Sequence, residues 1–139
     1  MKANELMIGD WVMPLKKKLK GIPGRVVTID GGTNVCWIDN KDYSCLVPCS
    51  DVERIPITPE ILEKNFENRE VRILAGTKTH YCLVNDYFAL AVSEYTDSTW
   101  EVEYTNCEAH FPLIRNLVGY VHELQHALRL CGIEKEIVL

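Results

Sequence analysis

At 139 residues the chain has the length of one ordinary domain or of two small, mutually dependent ones, enough to bury about two thirds of its unfolded surface without metals or disulfides. Apolar residues make up 47% and charged residues 25%, and no apolar run approaches the roughly 18 residues that cross a bilayer, which weighs against disorder and membrane insertion. A net charge of −5 argues against non-specific binding along a polyanion, a mode that needs many net phosphate contacts; a local basic patch stays open.

The opening MKANELMIGDW carries no apolar stretch of the kind a secretory signal needs, which predicts a cytoplasmic chain. Over the first 57 residues, LMIGDWVMP, GRVVTID, NVCWID and YSCLVPC read as short strands rich in Val, Ile, Trp and Cys. Gly21, Pro23 and Gly24 punctuate the second, Gly31 and Gly32 predict a hairpin turn, and Asn40 to Asp42 predict another. Four or five such strands in so short a span suit a small, strongly bent SH3-like barrel better than an open sheet.

Thr58, Pro59 and Glu60 then signal a helix start: a hydroxyl that caps, a proline at the first helical position and an acid near the positive helix end. This helix is expected to run to about Phe66. Beyond it, REVRILA, HYCLV, YFALAVSEY and TWEVEYT read as a meander turned at Gly76 and Thr77, at Asn85 and Asp86, and at Asp97 and Ser98. In the last of these strands Trp100, Val102 and Tyr104 alternate with Glu101 and Glu103, so one sheet face is expected to be wet.

Pro112 and Gly132 are expected to bracket a final amphipathic helix. At helical spacing Leu113, Ile114, Leu117, Tyr120, Val121, Leu124, Ala127, Leu128 and Cys131 fall within about 140° of arc.

Three constellations bear on chemistry. His122, Glu123 and His126 spell H-E-x-x-H, in which two histidines one helical turn apart hold zinc and the glutamate activates water as general base. On the expected helix both histidines point away from the apolar stripe, Arg115 and Arg129 share that arc, and the position of a third metzincin ligand is Gly132. Glu134 or Glu136 is the remaining choice for a third ligand. A solvated histidine face is the preferred reading. Cys107, His110, His122 and His126 also approximate the spacing of a structural zinc site that staples a loop onto this helix.

The loop KKKLK supplies Lys16, Lys17, Lys18 and Lys20, with Trp11 and Arg25 nearby, the pairing of basic loop and aromatic by which small barrels bind nucleic acid. The plainer reading is a solvated loop that blunts a sheet edge. Six scattered cysteines read as free thiols; Cys45 and Cys49 form a C-x3-C pair, but alternation along a strand does not fold that spacing into a metal knuckle. No G-x-S-x-G, phosphate loop or dinucleotide fingerprint occurs.

The opening NELMIGDWV, the linker IPITPEILEKN, the strand WEVEY and the ending YVHELQHALRLCGI together resemble an uncharacterised family of small proteins from gut Bacteroidetes, their phages and mobile elements. The likeness covers nearly the whole chain and is weakest from LAGTKTH to YTDST. In that family the last helix carries a V-H-x-L-Q core in which the glutamate and second histidine need not appear. The resemblance therefore implies no protease and no catalytic residue; it implies a short accessory protein, phage-borne or mobile.

The expected architecture is α+β: an N-terminal SH3-like small β-barrel over residues 1–57, then an α-β-meander-α unit over 58–139 with a C-terminal amphipathic helix, packed as one body because the linker is short. The expected function is non-enzymatic, by binding a protein partner or by self-association, with no cofactor. The alternatives are a zinc-dependent hydrolase using His122, His126 and Glu123, and a nucleic-acid adaptor using the lysine loop.

Overall fold

The computed structural model describes the chain except residues 17, 20, 74, 75, 107 and 109–111; at 71–73 and 76 it describes the backbone alone. The fold is mixed α+β and mostly strand, with two α-helices among the described residues and a curled, half-barrel antiparallel sheet of five strands. Two units divide the chain, Met1–Ile55 and Pro56–Leu139. No helix among the described residues is long and apolar enough to cross a membrane.

In the first unit the strands are β1 (Trp11–Pro14), β2 (Gly24–Asp30), β3 (Val35–Asn40), β4 (Tyr43–Pro48) and β5 (Val52–Glu53), hydrogen-bonded in the order β4-β3-β2-β1-β5. β1 to β4 form a meander, and a single 3-10 turn, Cys49–Asp51, carries the chain back so that β5 pairs with β1. Period-two alternation sends Val12, Val26, Cys36, Ile38 and Val47 into the core, where Leu6, Cys49 and Val52 join them. The β2–β3 turn is built by Asp30, whose carboxylate accepts from Gly32 N at 2.9 Å and from Thr33 Oγ1 at 2.6 Å. Those hydrogen bonds, Thr33 first, hold the Asp30 carboxyl below its ordinary range. The left-handed residue of this turn is Asn34 (φ 54°) rather than either expected glycine, a conformation Asn tolerates through its short polar side chain. Gly24 is required for a different reason: a Cβ there would overlap the Tyr43 hydroxyl and Ile38.

In the second unit α1 (Pro59–Asn65) starts where its sequence signals place it, with Thr58 Oγ1 accepting from Ile61 N at 3.4 Å. The sheet that follows comprises β6 (Glu67–Ile73), β7 (Gly76–Val84), β8 (Phe88–Thr96), β9 (Thr99–Asn106) and β10 (Ile114–Val118), all antiparallel neighbours in sequence order. Gly76 and Thr77, expected in a turn, belong to β7; residues 74 and 75, between the strands, lie outside the described residues. Asn85 forms its turn by accepting from Tyr87 N at 2.8 Å and Phe88 N at 2.9 Å.

The C-terminal segment folds differently from its sequence expectation. The expected helix from Pro112 is instead a strand followed by a shorter helix, α2 (Val121–Leu130). Ile114 and Leu117, assigned to the helical stripe, lie in β10, and Leu117 is exposed, as is Leu113 before the strand. Ile114, Leu117 and Val118 do have helical spacing, but β9 offers a complete ladder of partners, from Ile114 opposite Tyr104 to Val118 opposite Trp100. Arg115 stands opposite Glu103 in that ladder and is ion-paired with it and with Glu101 at 3.2 Å, so it is a strand residue and does not share the helix of the histidines. Gly132 does end α2, at φ 69°.

Val121, Leu124, Ala127 and Leu128 of α2 are buried, as are Leu90, Val92, Trp100, Val102 and Val118 of the sheet. Asn65, at the end of α1, is buried and clamps the last residues of the chain: its Nδ2 donates to Val138 O at 2.8 Å and its Oδ1 accepts from Val138 N at 2.9 Å.

Candidate functional site

The HELQH string lies wholly on α2, but not as a solvated face. His122 is only 3% exposed, with the Tyr120 ring stacked 6.1 Å away and the His126 ring edge-on at 5.7 Å; His126 is half-buried. The expected direction, away from the apolar stripe, agrees with the helix spacing; what overturns the solvated reading is that His122 is enclosed on this side, although Arg129 on the same arc is exposed. Gln125 is buried on the same side, so α2 buries residues around most of its circumference.

Glu123 has a structural task. Its Oε2 accepts from Gly119 N at 2.8 Å and from Tyr120 N at 3.3 Å, satisfying backbone donors at the start of the helix. An acid at this third helical position also complements the positive end of the helix. A carboxylate engaged by two backbone N–H groups is poorly placed to activate a metal-bound water. Among the described residues no group of three or more His, Cys, Asp or Glu is placed to hold a metal ion, and Cys107 and His110 lie outside them.

The thiols come together differently from their sequence spacing. Cys36, Cys45, Cys49, Cys82 and Cys131 are free. Cys36, on β3, lies beside Cys49 and Cys45, and its thiol is pushed up to about 12 by burial first and by these two neighbours second. A thiol this reluctant to ionise is a weak nucleophile and a weak ligand, and Cys36 and Cys49 pack the first core with Cys45 against it.

The lysine loop is the remaining expectation, and Lys16 and Lys18 are its described members; Lys17 and Lys20 lie outside the described residues. Lys16 Nζ donates to Leu46 O on β4 at 3.0 Å, laying the loop along that strand. Trp11, the aromatic expected to serve it, is covered by the Arg25 guanidinium, 4.6 Å from the ring centroid. The aromatic that is presented is Trp37, which was not singled out by sequence. It is 42% exposed, stands directly opposite Leu46, itself 50% exposed, and donates from Nε1 to Ser44 Oγ at 2.6 Å. Alternation had the signal: with Cys36 and Ile38 inward, Trp37 must point out. Beside this pair Lys16, Lys18, Leu19, Tyr43, Ser44 and Cys45 line a groove of about 430 Å³.

The charge of the chain is unevenly divided. The first unit has eight Lys and Arg against seven Asp and Glu; the second has seven against thirteen. The acidic excess that argued against polyanion binding therefore belongs to the second unit. No family model, no curated protein and no solved structure matches the chain.

Proposed function

We propose that this chain is a non-enzymatic accessory protein that binds a protein partner, or a second copy of itself, through the outer face of β3 and β4. The observation that carries the reading is the exposed cross-strand pair Trp37 and Leu46, large apolar side chains held rigidly on a sheet where they stabilise no core. Trp is among the residues most often found as an interface anchor, because it buries much area at little entropic cost. Lys16 and Lys18 at the rim favour a partner with acidic side chains around an apolar centre.

The first unit is read as SH3-like, on the support of its strand order: a four-stranded meander, a 3-10 turn and a fifth strand returning to the first. The resemblance at the chain ends and the linker supports a phage or mobile-element setting. A second reading is favoured by one observation, the basic rim beside Trp37, which is also the make-up of a single-strand nucleic-acid surface.

Sedimentation of the full chain over a range of concentrations, beside Trp37→Ser/Leu46→Ser, tests the proposal. Self-association that is lost in the variant supports it. A monomer at every concentration moves the test to a partner retained by the parent and released by the variant, and failure of both overturns it. A titration with single-stranded oligonucleotide at about 50 mM salt decides the second reading, since binding there that weakens steeply as salt rises identifies phosphate contacts.

A further inference from the structure

A cavity of about 570 Å³ opens in the second unit between the start of α1, β7 and the β8–β9 hairpin. That size falls within the range of small-molecule sites. Its lining includes Tyr81, Tyr95 and Trp100 together with Glu94, Asp97 and Lys78. Tyr81 and Trp100 meet edge to face at 5.9 Å and are nearly buried, forming a fixed wall, while Tyr95 stands at the rim, 58% exposed.

The backbone explains how these groups converge. Regular alternation would place Glu94 and Tyr95 on opposite faces of β8. The ladder with β9 is interrupted between Glu94, opposite Trp100, and Thr96, opposite Thr99. A bulge of this kind turns a side chain from its regular direction, and here Glu94 and Tyr95 both line the cavity. Asp97 follows from the two-residue hairpin turn.

The charge is negative. Glu94 and Asp97 outnumber Lys78 in the lining, and Glu60 and Glu63 of α1 add to the same region: the Tyr81 hydroxyl is held above its ordinary value by burial first, then by Glu63, Glu60 and Glu94. Aromatic rings and carboxylates together favour a positive group, the rings by their quadrupole and the acids by charge.

We propose that this cavity binds a small organic cation through an ammonium or guanidinium group, held by Glu94 and Asp97 against Tyr95 and the Tyr81–Trp100 wall. The site lies in a different unit from the Trp37 face, so the two proposals fail independently.

Trp100 is a built-in reporter, since Trp11 and Trp37 are the other tryptophans of the chain. In a Trp11→Phe/Trp37→Phe protein, butylguanidinium is expected to change Trp100 emission saturably, and its neutral isostere butylurea to bind at least about tenfold more weakly. Tetramethylammonium tells whether charge and size suffice without N–H donors: saturable binding assigns the site to cations in general, and its absence with butylguanidinium still bound assigns it to a donating cation. Glu94→Gln/Asp97→Asn should weaken butylguanidinium by about tenfold, and Lys78→Gln should tighten it. Equal binding of butylurea, no saturable response, or indifference to the carboxylate variants overturns the proposal. Equilibrium dialysis of the unaltered chain gives the same comparison if the Phe variants do not fold.

Discussion

The lysine loop of the first unit and the HELQH string of the second are both short polar runs beside apolar segments, and the fold treats them in opposite ways. Lys16 and Lys18 stay at the surface, with Lys16 laid along β4 beside an exposed tryptophan. His122 is buried, His126 is partly covered, and Glu123 is occupied by the backbone of its own helix. The lesson is that a string gains chemistry from what its neighbours leave open. Lysines on a loop keep water by their length, whereas a histidine on a ten-residue helix goes wherever packing turns the helix.

Substitution in the two regions should therefore separate stability from binding. The largest losses belong to the cores: Ile38→Ala in the first and Leu124→Ala in the second, both completely buried, should each cost about 3 kcal/mol in denaturant unfolding. A loss below about 1 kcal/mol at either would mean that its unit does not depend on that core. Next comes His122→Ala, expected to cost about 2 kcal/mol, and clearly more than His126→Ala, because only His122 is fully enclosed. Equal, negligible costs would restore the solvated histidine face. Glu123→Ala removes the acceptor for Gly119 N and Tyr120 N and should cost about 1 kcal/mol, visible as fraying of α2 in amide exchange. Smallest is Trp37→Ser/Leu46→Ser, which should leave the unfolding free energy within about 0.5 kcal/mol of the parent while abolishing the association proposed for that face.

Much of the first unit was legible, because GRVVTID, NVCWID and YSCLVPC each alternate and each is bounded by turn residues, and those boundaries lie close to β2, β3 and β4. Helix α1 was legible for the same local reason, a capping Thr58 and a Pro59 that fits only the first turn. The candidate binding face was half legible. The lysines were visible as a run, but Trp37 shows its importance only when its neighbours on β3 are known to point inward and Leu46 is known to lie opposite. The aromatic, acidic cavity was not legible, since Pro59, Lys78 and the hairpin carrying Glu94, Asp97 and Trp100 come from three separate stretches and Tyr95 joins them through a bulge.

What the sequence determined by itself is therefore the local part: the strands β2 to β4 and β6 to β9 in outline, the start of α1 and the glycine that ends α2. Tertiary structure decided the rest. IRNLV satisfies both helical and strand spacing, and only the ladder along β9, with Arg115 across from Glu103, made it β10. The same change shortened the last helix. Periodicity records which positions of one segment are apolar, but burial is set by what another segment brings against it, and that partner is chosen across the fold rather than along the chain.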